Sequence, residues 1–371
     1  MTPPTSSLPL ADANSWAVDR AISLLEVWAL VAAFSGLVGA WRLLGVCRAA
    51  RAGAKEFLGT LPRLVVSGGG RSGGGAGGRR AVSEVWGLNL TTMRWEAMPA
   101  LLCGRSGHAC CVVRGALVVI GGTFPGSGIS QGRFPPTSRV EMLGKGEEAF
   151  VELPPLSCGA VFGAVAITVD ERHSALGQVL LLGGHDQHRT ATSSVRLVDL
   201  ATGVCTLQAN LLHARSFFAA ARLRAGSIAC AGGHGGATSA EMWERPVHGA
   251  LDAAWTWKEL PVMSVERYGC SGCVLSDGNF AVLGGMSYSG IESSCEALTL
   301  RDNERWSPLP PMHDPLDGFA CAAVAGCIIV VGGDPYRKSA EVYDEMRGRW
   351  LRLPHYLPRD GGLSHMSSAL V

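Results

Sequence analysis

Charged residues are scarce in this chain, and neither sign dominates. Asp, Glu, Lys and Arg make up 17% of its 371 residues, and the formal net charge is +1. A strong excess of positive charge, which marks proteins that bind nucleic acid or anionic membranes, is missing. We therefore predict neither nucleic acid nor a membrane as a partner.

The N-terminal residues also predict that the chain has no cleavable signal sequence. The N-terminus "MTPPTSSLPLADANSW" has two acidic residues and no basic or apolar stretch. The 12 cysteines lie in apolar segments, which is typical of half-buried, reduced thiols. Cys270 and Cys273 form one C-x-x-C pair, without the second pair that a zinc site needs. We predict a reduced protein of the cytoplasm or nucleus, with no metal and no cofactor.

The chain also lacks an apolar run long enough to span a bilayer. Residues 21–58 contain its most apolar stretch, but only 15 residues separate Glu26 from Arg42, against the about 20 that a spanning helix needs. Gly36 and Gly39 interrupt this stretch. Its apolar residues recur at helical spacing, which predicts two or three packed helices: Leu24, Val27, Leu30, Val31, Phe34, Leu43, Leu44, Val46 and Cys47.

Glycine, by contrast, is abundant. Gly68, Gly70 and Gly73 in "LVVSGGGRSGGGAGGRR" match a dinucleotide-binding fingerprint, but the Lys-Ser/Thr of a P-loop is absent. Six segments share the form of an apolar strand ending in Gly-Gly, and the doublets end at Gly69, Gly122, Gly184, Gly233, Gly285 and Gly333. Successive doublets are 53, 62, 49, 52 and 48 residues apart. A phosphate-binding loop does not require six copies, so the glycines indicate a structural repeat.

Each repeat contains four short strands and no helix. After each doublet comes a strand such as "SAEMWE", then one such as "WTWKELP", and then a small apolar strand such as "ERYGCSGCVL". The absence of a helix excludes the dinucleotide fingerprint. The first doublet strand has no such small strand before it, while the chain ends with an extra one, "SHMSSALV". We predict that this last strand completes the first unit and removes the exposed sheet edges.

These repeats resemble the kelch motif, and the best copy is "CIIVVGGDPYRKSAEVYDEMRGRWLRLP". The resemblance covers residues 64–371 and implies an all-β fold, a six-bladed kelch-type β-propeller closed by the C-terminal strand. The segment "LLEVWALVAAFSGLVGAWRLLGVCRAAR" resembles the F-box. The matching residues are Glu26, Val27, Leu43, Val46, Cys47 and Arg48. Leu25 stands where the family has proline, and Ala50 where it often has tryptophan. We expect a disordered tail over residues 1–20, a small α-helical F-box-like segment over 21–60 and the propeller over 64–371.

Two sets of loops are expected to form one rim of the propeller, where recognition usually occurs. The loops before the innermost strands contain arginines, whose guanidinium groups suit the capture of carboxylates. The loops after the doublets add histidines and tyrosines. The predicted binding rim consists of Arg105, Arg215, Arg267, Arg359, His185, His234, Tyr288 and Tyr336, with His188 and Asp334 in the same loops. A structural role for the arginines, bonding loop carbonyls, is the alternative.

The F-box resemblance implies that Leu24, Val27, Leu30, Val31 and Leu43 contact a Skp-type adaptor of a cullin ubiquitin ligase. The alternative is that these residues form the core of the helices or pack on the propeller. We predict a non-enzymatic substrate receptor whose rim binds a protein substrate. A kelch scaffold, associated with actin or signalling, is the second hypothesis.

A metal-dependent propeller enzyme is the third hypothesis. Some kelch-like propellers are oxidases that bind copper through tyrosine and histidine, and His185, His188 and His234 lie in neighbouring loops. The carboxylates that would orient such ligands are not evident in the sequence. We therefore assign no catalytic residue and no metal ligand.

Overall fold

In a computed structural model of the chain, the described residues are 24–71, 80–124, 135–169, 174–224, 226–244, 256–301, 303–335, 338–355 and 363–371, with the single residues 20 and 357. The predicted disordered tail, Tyr336 and Arg359 lie outside this set, apart from Arg20. The three-part division of the chain stays a prediction.

Within residues 24–71, two helices precede the sheets, α1 (Leu25–Leu43) and α2 (Arg48–Thr60). The thiol of Cys47 caps α2 by accepting a hydrogen bond from the N–H of Ala50. The helices pack closely, because a Cβ atom on Gly53 would lie 2.6 Å from the Cβ of Trp28. The prediction of two or three packed helices is confirmed.

The described residues after the helices form thirty strands. The first fifteen are β1 (Leu64–Ser67), β2 (Gly70–Arg71), β3 (Arg80–Ala81), β4 (Val85–Asn89), β5 (Arg94–Met98), β6 (Ala109–Val113), β7 (Ala116–Ile120), β8 (Val140–Leu143), β9 (Val151–Leu153), β10 (Val165–Thr168), β11 (Gln178–Leu182), β12 (Val195–Asp199), β13 (Cys205–Leu207), β14 (Ala219–Arg222) and β15 (Ile228–Ala231). The others are β16 (Ala240–Glu244), β17 (Thr256–Leu260), β18 (Ser271–Val274), β19 (Phe280–Leu283), β20 (Met286–Ser287), β21 (Gly290–Ile291), β22 (Cys295–Thr299), β23 (Arg305–Leu309), β24 (Leu316–Asp317), β25 (Ala320–Val324), β26 (Cys327–Val331), β27 (Asp334–Pro335), β28 (Ala340–Asp344), β29 (Arg349–Arg352) and β30 (Ser367–Leu370).

The long strands form six antiparallel four-stranded blades. From the innermost strand outward, blade 1 is β30-β1-β4-β5, blade 2 is β6-β7-β8-β9, blade 3 is β10-β11-β12-β13, blade 4 is β14-β15-β16-β17, blade 5 is β18-β19-β22-β23 and blade 6 is β25-β26-β28-β29. The innermost strands contact one another in a closed circle, β30-β6-β10-β14-β18-β25 and back to β30. The chain is therefore a six-bladed β-propeller, as predicted. Its second strands, such as β7 "ALVVI" and β26 "CIIVV", are buried along their whole length.

The C-terminal strand closes the propeller. In blade 1, β30 pairs with β1 over Leu64–Leu370 to Ser67–Ser367. Its side chains also bond both neighbouring blades. The hydroxyl of Ser367 donates to the carbonyl of His108 in front of blade 2, and that of Ser368 donates to the carbonyl of Cys321 in blade 6, at 2.8 Å. Closure leaves no open edge on the innermost strand of blade 1.

The glycine doublets are the junctions between successive blades. Gly183 and Gly184 have φ of +54° and +93°, a region that L side chains avoid. A Cβ atom on Gly183 would lie 2.5 Å from the carbonyl oxygen of Arg215 in the approach to blade 4. The N–H of Gly184 donates to that same oxygen at 2.9 Å. Two glycines are needed because the backbones of adjacent blades touch here, which confirms the structural explanation of the repeat.

The helices are anchored to the propeller face opposite the doublets. Gly36 breaks α1 with a non-helical φ of +67°, and a Cβ atom there would lie 2.8 Å from the carbonyl oxygen of Ala325. The N–H of Leu37 donates to this oxygen at 3.0 Å, and the indole of Trp41 donates to the carbonyl of Leu90 at 2.8 Å. Ala325 and Leu90 lie in turns at the ends of strands remote from the doublets.

By length and composition alone, α1 could cross a membrane, with a mean hydropathy of 1.3 over its most apolar window, which differs from the expectation drawn from the spacing of Glu26 and Arg42. The break at Gly36 divides it into two shorter helical pieces. Leu37, Val38 and Ala40 in the second piece are buried against the propeller core. The prediction that the protein has no membrane partner stays a prediction.

Candidate functional site

Three of the predicted rim arginines lie inside the blades. Arg105, Arg215 and Arg267 are 0%, 0% and 1% exposed, and each pairs with a buried glutamate: Glu141, Glu241 and Glu296, respectively. Their guanidinium groups also donate to the carbonyl oxygen of the first glycine of a doublet, namely Gly121, Gly232 and Gly284.

In the Arg215–Glu241 pair, both charged groups are held by several hydrogen bonds. Nε and Nη2 of Arg215 donate to one oxygen of Glu241 at 3.0 and 2.6 Å, while the other oxygen accepts the N–H of Leu212 at 2.6 Å. Nη1 donates to the carbonyl of Gly232 at 2.7 Å. The prediction that Arg105, Arg215 and Arg267 bind substrate is wrong, because they are buried and fasten the doublets of blades 2, 4 and 5 to their own blades. The alternative structural role is the correct one for all three.

A ring of six backbone hydrogen bonds surrounds the channel at the doublet end. In each blade, the residue two positions before the innermost strand donates its N–H to the carbonyl of the corresponding residue in the preceding blade, at 2.6–2.9 Å. All six have positive φ, between +52° and +65°. This axial ring consists of Gly107, Gly163, Phe217, Gly269, Gly318 and His365, which together line a cavity of about 110 Å³.

Phe217 and His365 are the two members of the axial ring with side chains. A Cβ atom on Gly163 would lie 2.8 Å from the ring of Phe217, and one on Gly318 would lie 2.9 Å from Nδ1 of His365. The two aromatic rings therefore lie over their glycine neighbours. Their centroids are 5.7 Å apart in a T-shaped arrangement, so together they narrow the mouth of the channel.

Six pairs of residues surround the axial ring. In each pair, the first residue after a doublet forms an antiparallel bridge with the residue just before an axial-ring position. We call this set the channel collar. Its pairs are Gly70–Ser364, Thr123–Ser106, His185–Phe162, His234–Ser216, Met286–Tyr268 and Asp334–Asp317.

The collar is chemically asymmetric. On one side Phe162 and His185 stack with centroids 4.7 Å apart, and His234 and Tyr268 lie 3.9 Å apart. Hydroxyl groups follow on the next side, where the oxygens of Ser106 and Thr123 are 3.2 Å apart. The bridge between Asp317 and Asp334, both largely buried, completes the circle.

The surroundings of the collar histidines favour their neutral form. Burial lowers the pKa of His185, and the neighbouring His234 lowers it further. Burial also lowers the pKa of His234. The two imidazole centroids are 6.1 Å apart, and Nε2 of His185 lies 3.2 Å from the hydroxyl of Ser216. This arrangement offers aromatic faces for stacking and uncharged imidazole nitrogens for hydrogen bonding.

The remaining predicted rim residues are dispersed. His185 and His234 belong to the collar, whereas Tyr288 is 97% exposed at a loop tip, with its N–H bonded to Glu266. His188 is also exposed. Across the described part of the chain, no three His, Cys, Asp or Glu side chains are placed to hold a metal ion.

A second candidate surface lies on the first half of α1. The predicted adaptor contacts Leu24, Val27, Leu30 and Val31 are exposed there, and Leu30 is 59% exposed. Phe34, at 82% exposure, extends the same surface. We call these five residues the exposed helix face.

Leu43 does not belong to the exposed helix face. It packs against the core cluster shared by the helices, blade 6 and blade 1. Leu43 is only partly buried, so this packing favours the alternative of packing on the propeller, and its role as an adaptor contact stays a prediction. Because the helices lie at the end remote from the doublets, the exposed helix face and the collar are on opposite faces of the propeller.

Comparison with known proteins supports the fold and little more. No family model and no curated protein matches the chain. Among solved structures, that of YjhT matches with a TM-score of 0.60 and 12% identity, covering 79% of this chain and 97% of that one. The likeness shows that both chains have a propeller fold. It confirms neither the kelch nor the F-box resemblance.

The comparison corrects one prediction. We predicted from the loop residues that the chain is not an enzyme, and the match to YjhT conflicts with that exclusion. The prediction that the chain is not an enzyme is therefore wrong. A propeller fold is compatible with catalysis, so the loop residues alone do not exclude an enzyme.

Proposed function

We propose that this chain is a two-faced recognition protein, the substrate receptor of a cullin-type ubiquitin ligase. Its exposed helix face would bind a Skp-type adaptor, and its collar face would bind a protein substrate. The observation that carries the proposal is the exposed apolar surface on the first half of α1, which the propeller leaves uncovered while it buries the second half.

An apolar surface of this kind is costly unless a partner covers it. Leu30 and Phe34 are large side chains that remain mostly exposed, and burying one such side chain contributes about 1.5–3 kcal/mol. The F-box resemblance covers this same segment, which is why we choose a Skp-type adaptor as the occupant. The fixed junction at Gly36 and Leu37 would hold that adaptor rigidly relative to the propeller.

The placement of the two surfaces also supports the proposal. A receptor must bind its adaptor without covering its substrate, and here the exposed helix face and the collar lie on opposite faces. The collar has aromatic, hydroxyl and carboxylate sectors within one circle, so it can distinguish ligands by both shape and polarity. Of the predicted rim residues, His185 and His234 belong to the collar.

The test is capture of a purified Skp-type adaptor by the full chain. We expect the double variant Leu30→Asp/Phe34→Asp to bind at least about 100-fold more weakly, since about 3 kcal/mol or more of burial is lost. The matched control is Leu207→Asp/Val262→Asp, which changes two residues with similar exposure, 69% and 68%, on blades 3 and 4. The control should bind like the unmodified chain.

Two outcomes would contradict the proposal. One is equal capture by the helix variant and the control variant. The other is no capture by a folded, unmodified chain. In either case the scaffold hypothesis, in which α1 and α2 only cover the propeller, would replace the ligase hypothesis.

A further inference from the structure

Two cysteines that are distant in sequence lie against each other at the edge of blade 3. Cys158 is in the connection between β9 and β10, and Cys205 begins β13, the outermost strand of that blade. The thiol of each cysteine is the group with the largest effect on the pKa of the other. Both side chains are free and only partly buried, so small reagents can reach them.

The backbone holds this contact from several directions. The N–H of Ser157 donates to the carbonyl of Gly203 at 2.9 Å, and the N–H of Cys205 donates to the hydroxyl of Ser157 at 2.9 Å. A Cβ atom on Gly203 would lie 2.3 Å from the carbonyl oxygen of Pro155. The backbone segments that contain Cys158 and Cys205 are therefore in direct contact, which holds the two thiols near each other.

The environment favours one thiolate in the pair. The hydrogen bond from Cys158 lowers the pKa of Cys205 to about 6, helped by the hydroxyl of Ser157 and the charge of Arg196 and opposed by partial burial. The same hydrogen bond raises the pKa of Cys158. At neutral pH the pair thus shares one proton, and a thiolate, unlike a thiol, is a strong nucleophile.

We propose that Cys158 and Cys205 form a redox pair, which becomes a reversible disulfide when the protein meets a hydroperoxide. The thiolate of Cys205 attacks one oxygen of hydrogen peroxide, the O–O bond breaks, hydroxide leaves, and the sulfur is oxidised to a sulfenic acid. The sulfur of Cys158 then attacks the sulfenic sulfur and loses its proton. The S–S bond forms, the S–O bond breaks, and water leaves.

A second cysteine pair supplies an internal control. Cys273 on β18 and Cys321 on β25 also share a side-chain hydrogen bond, but they lie on innermost strands in the wall of the channel. Cys273 is buried, and its pKa is raised by the hydrogen bond from Cys321 and by burial. The two thiols therefore interact in both pairs, whereas the first pair combines two partly exposed side chains with a lowered thiol pKa.

The sequence makes the disulfide easy to detect. Cleavage after Lys and Arg places Cys158 in the peptide of residues 146–172 and Cys205 in the peptide of residues 197–215, each with a single cysteine. The full chain is treated with hydrogen peroxide at pH 7, its remaining thiols are alkylated, and the digest is examined by mass spectrometry without reduction.

We expect the cross-linked peptide 146–172/197–215 in the oxidised native chain and its loss after dithiothreitol. It should be absent from Cys158→Ser and from Cys205→Ser, and it should persist in Cys273→Ser/Cys321→Ser. Absence of the cross-link from a folded native chain would overturn the proposal, as would an equal yield of a Cys273–Cys321 cross-link. Circular dichroism of each variant establishes that the fold is intact.

Discussion

The buried Arg215–Glu241 pair offers the sharpest test of the structural role of the rim arginines. In Arg215→Ala the carboxylate of Glu241 stays buried and keeps one hydrogen bond, from the N–H of Leu212. Leaving one partner of a buried ion pair uncompensated costs about 3–5 kcal/mol. We therefore expect Arg215→Ala to lower the free energy of unfolding by that amount.

The assay is urea unfolding followed by tryptophan fluorescence and circular dichroism, with Arg305→Ala as the control. Arg305 is exposed on the outermost strand of blade 5, so its removal should change the free energy of unfolding by about 0.5 kcal/mol or less. The double variant Arg215→Met/Glu241→Leu should recover most of the loss, because it leaves no buried charge. Equal costs for Arg215→Ala and Arg305→Ala would refute the reasoning. A loss of partner binding with unchanged stability would restore the binding-rim hypothesis.

Two further predictions concern the channel. Burial, reinforced by the positive charge of Arg105, lowers the pKa of His108 from 6.5 to about 3, so its contribution to stability is complete above pH 6.5 and is lost as the pH falls toward 3. At pH 5 the loss in the free energy of unfolding is about 2 kcal/mol, from about 1.36 kcal/mol per pH unit. Urea unfolding at pH 7 and pH 5 measures this loss, and it should be smaller for His108→Gln than for the native chain. An equal loss in both would contradict the prediction. Gly163→Ala places a Cβ atom 2.8 Å from the ring of Phe217, whereas Gly159→Ala, also at positive φ, meets no atom within 4 Å. We expect the Gly163 variant to lose about 1–3 kcal/mol more than its control, as measured by their unfolding midpoints, and equal losses would show that the axial ring tolerates a side chain.

The repeat carried most of the information about the fold. Six doublets with consistent strand patterns after them predicted six blades, and the surplus strand at the end predicted closure by β30. These inferences succeeded because strand alternation and tight backbone approach impose local residue requirements. Gly183 cannot be replaced by a residue with a side chain without a clash against Arg215, so the requirement is visible in the sequence.

The site was harder to predict, since residue type does not specify burial. Arg105, Arg215 and Arg267 occupy equivalent repeat positions, and their binding and structural hypotheses agree equally well with the sequence. The glutamates that decide between them, such as Glu241, are 26 residues away on another strand. The collar had a signal that we missed, because its members occur at two fixed offsets: directly after each doublet and directly before each axial-ring residue.

The sequence by itself determined the number of blades, their strand order, the closing strand and the helical segment at the N-terminus, because each depends on backbone conformation and on which residues can be buried. Only the tertiary structure decided which charges are internal, which part of α1 remains exposed, and that Cys158 meets Cys205. Those outcomes depend on contacts between residues tens of positions apart. Their distances are set by how the blades pack against one another around the channel, and no local pattern records that packing.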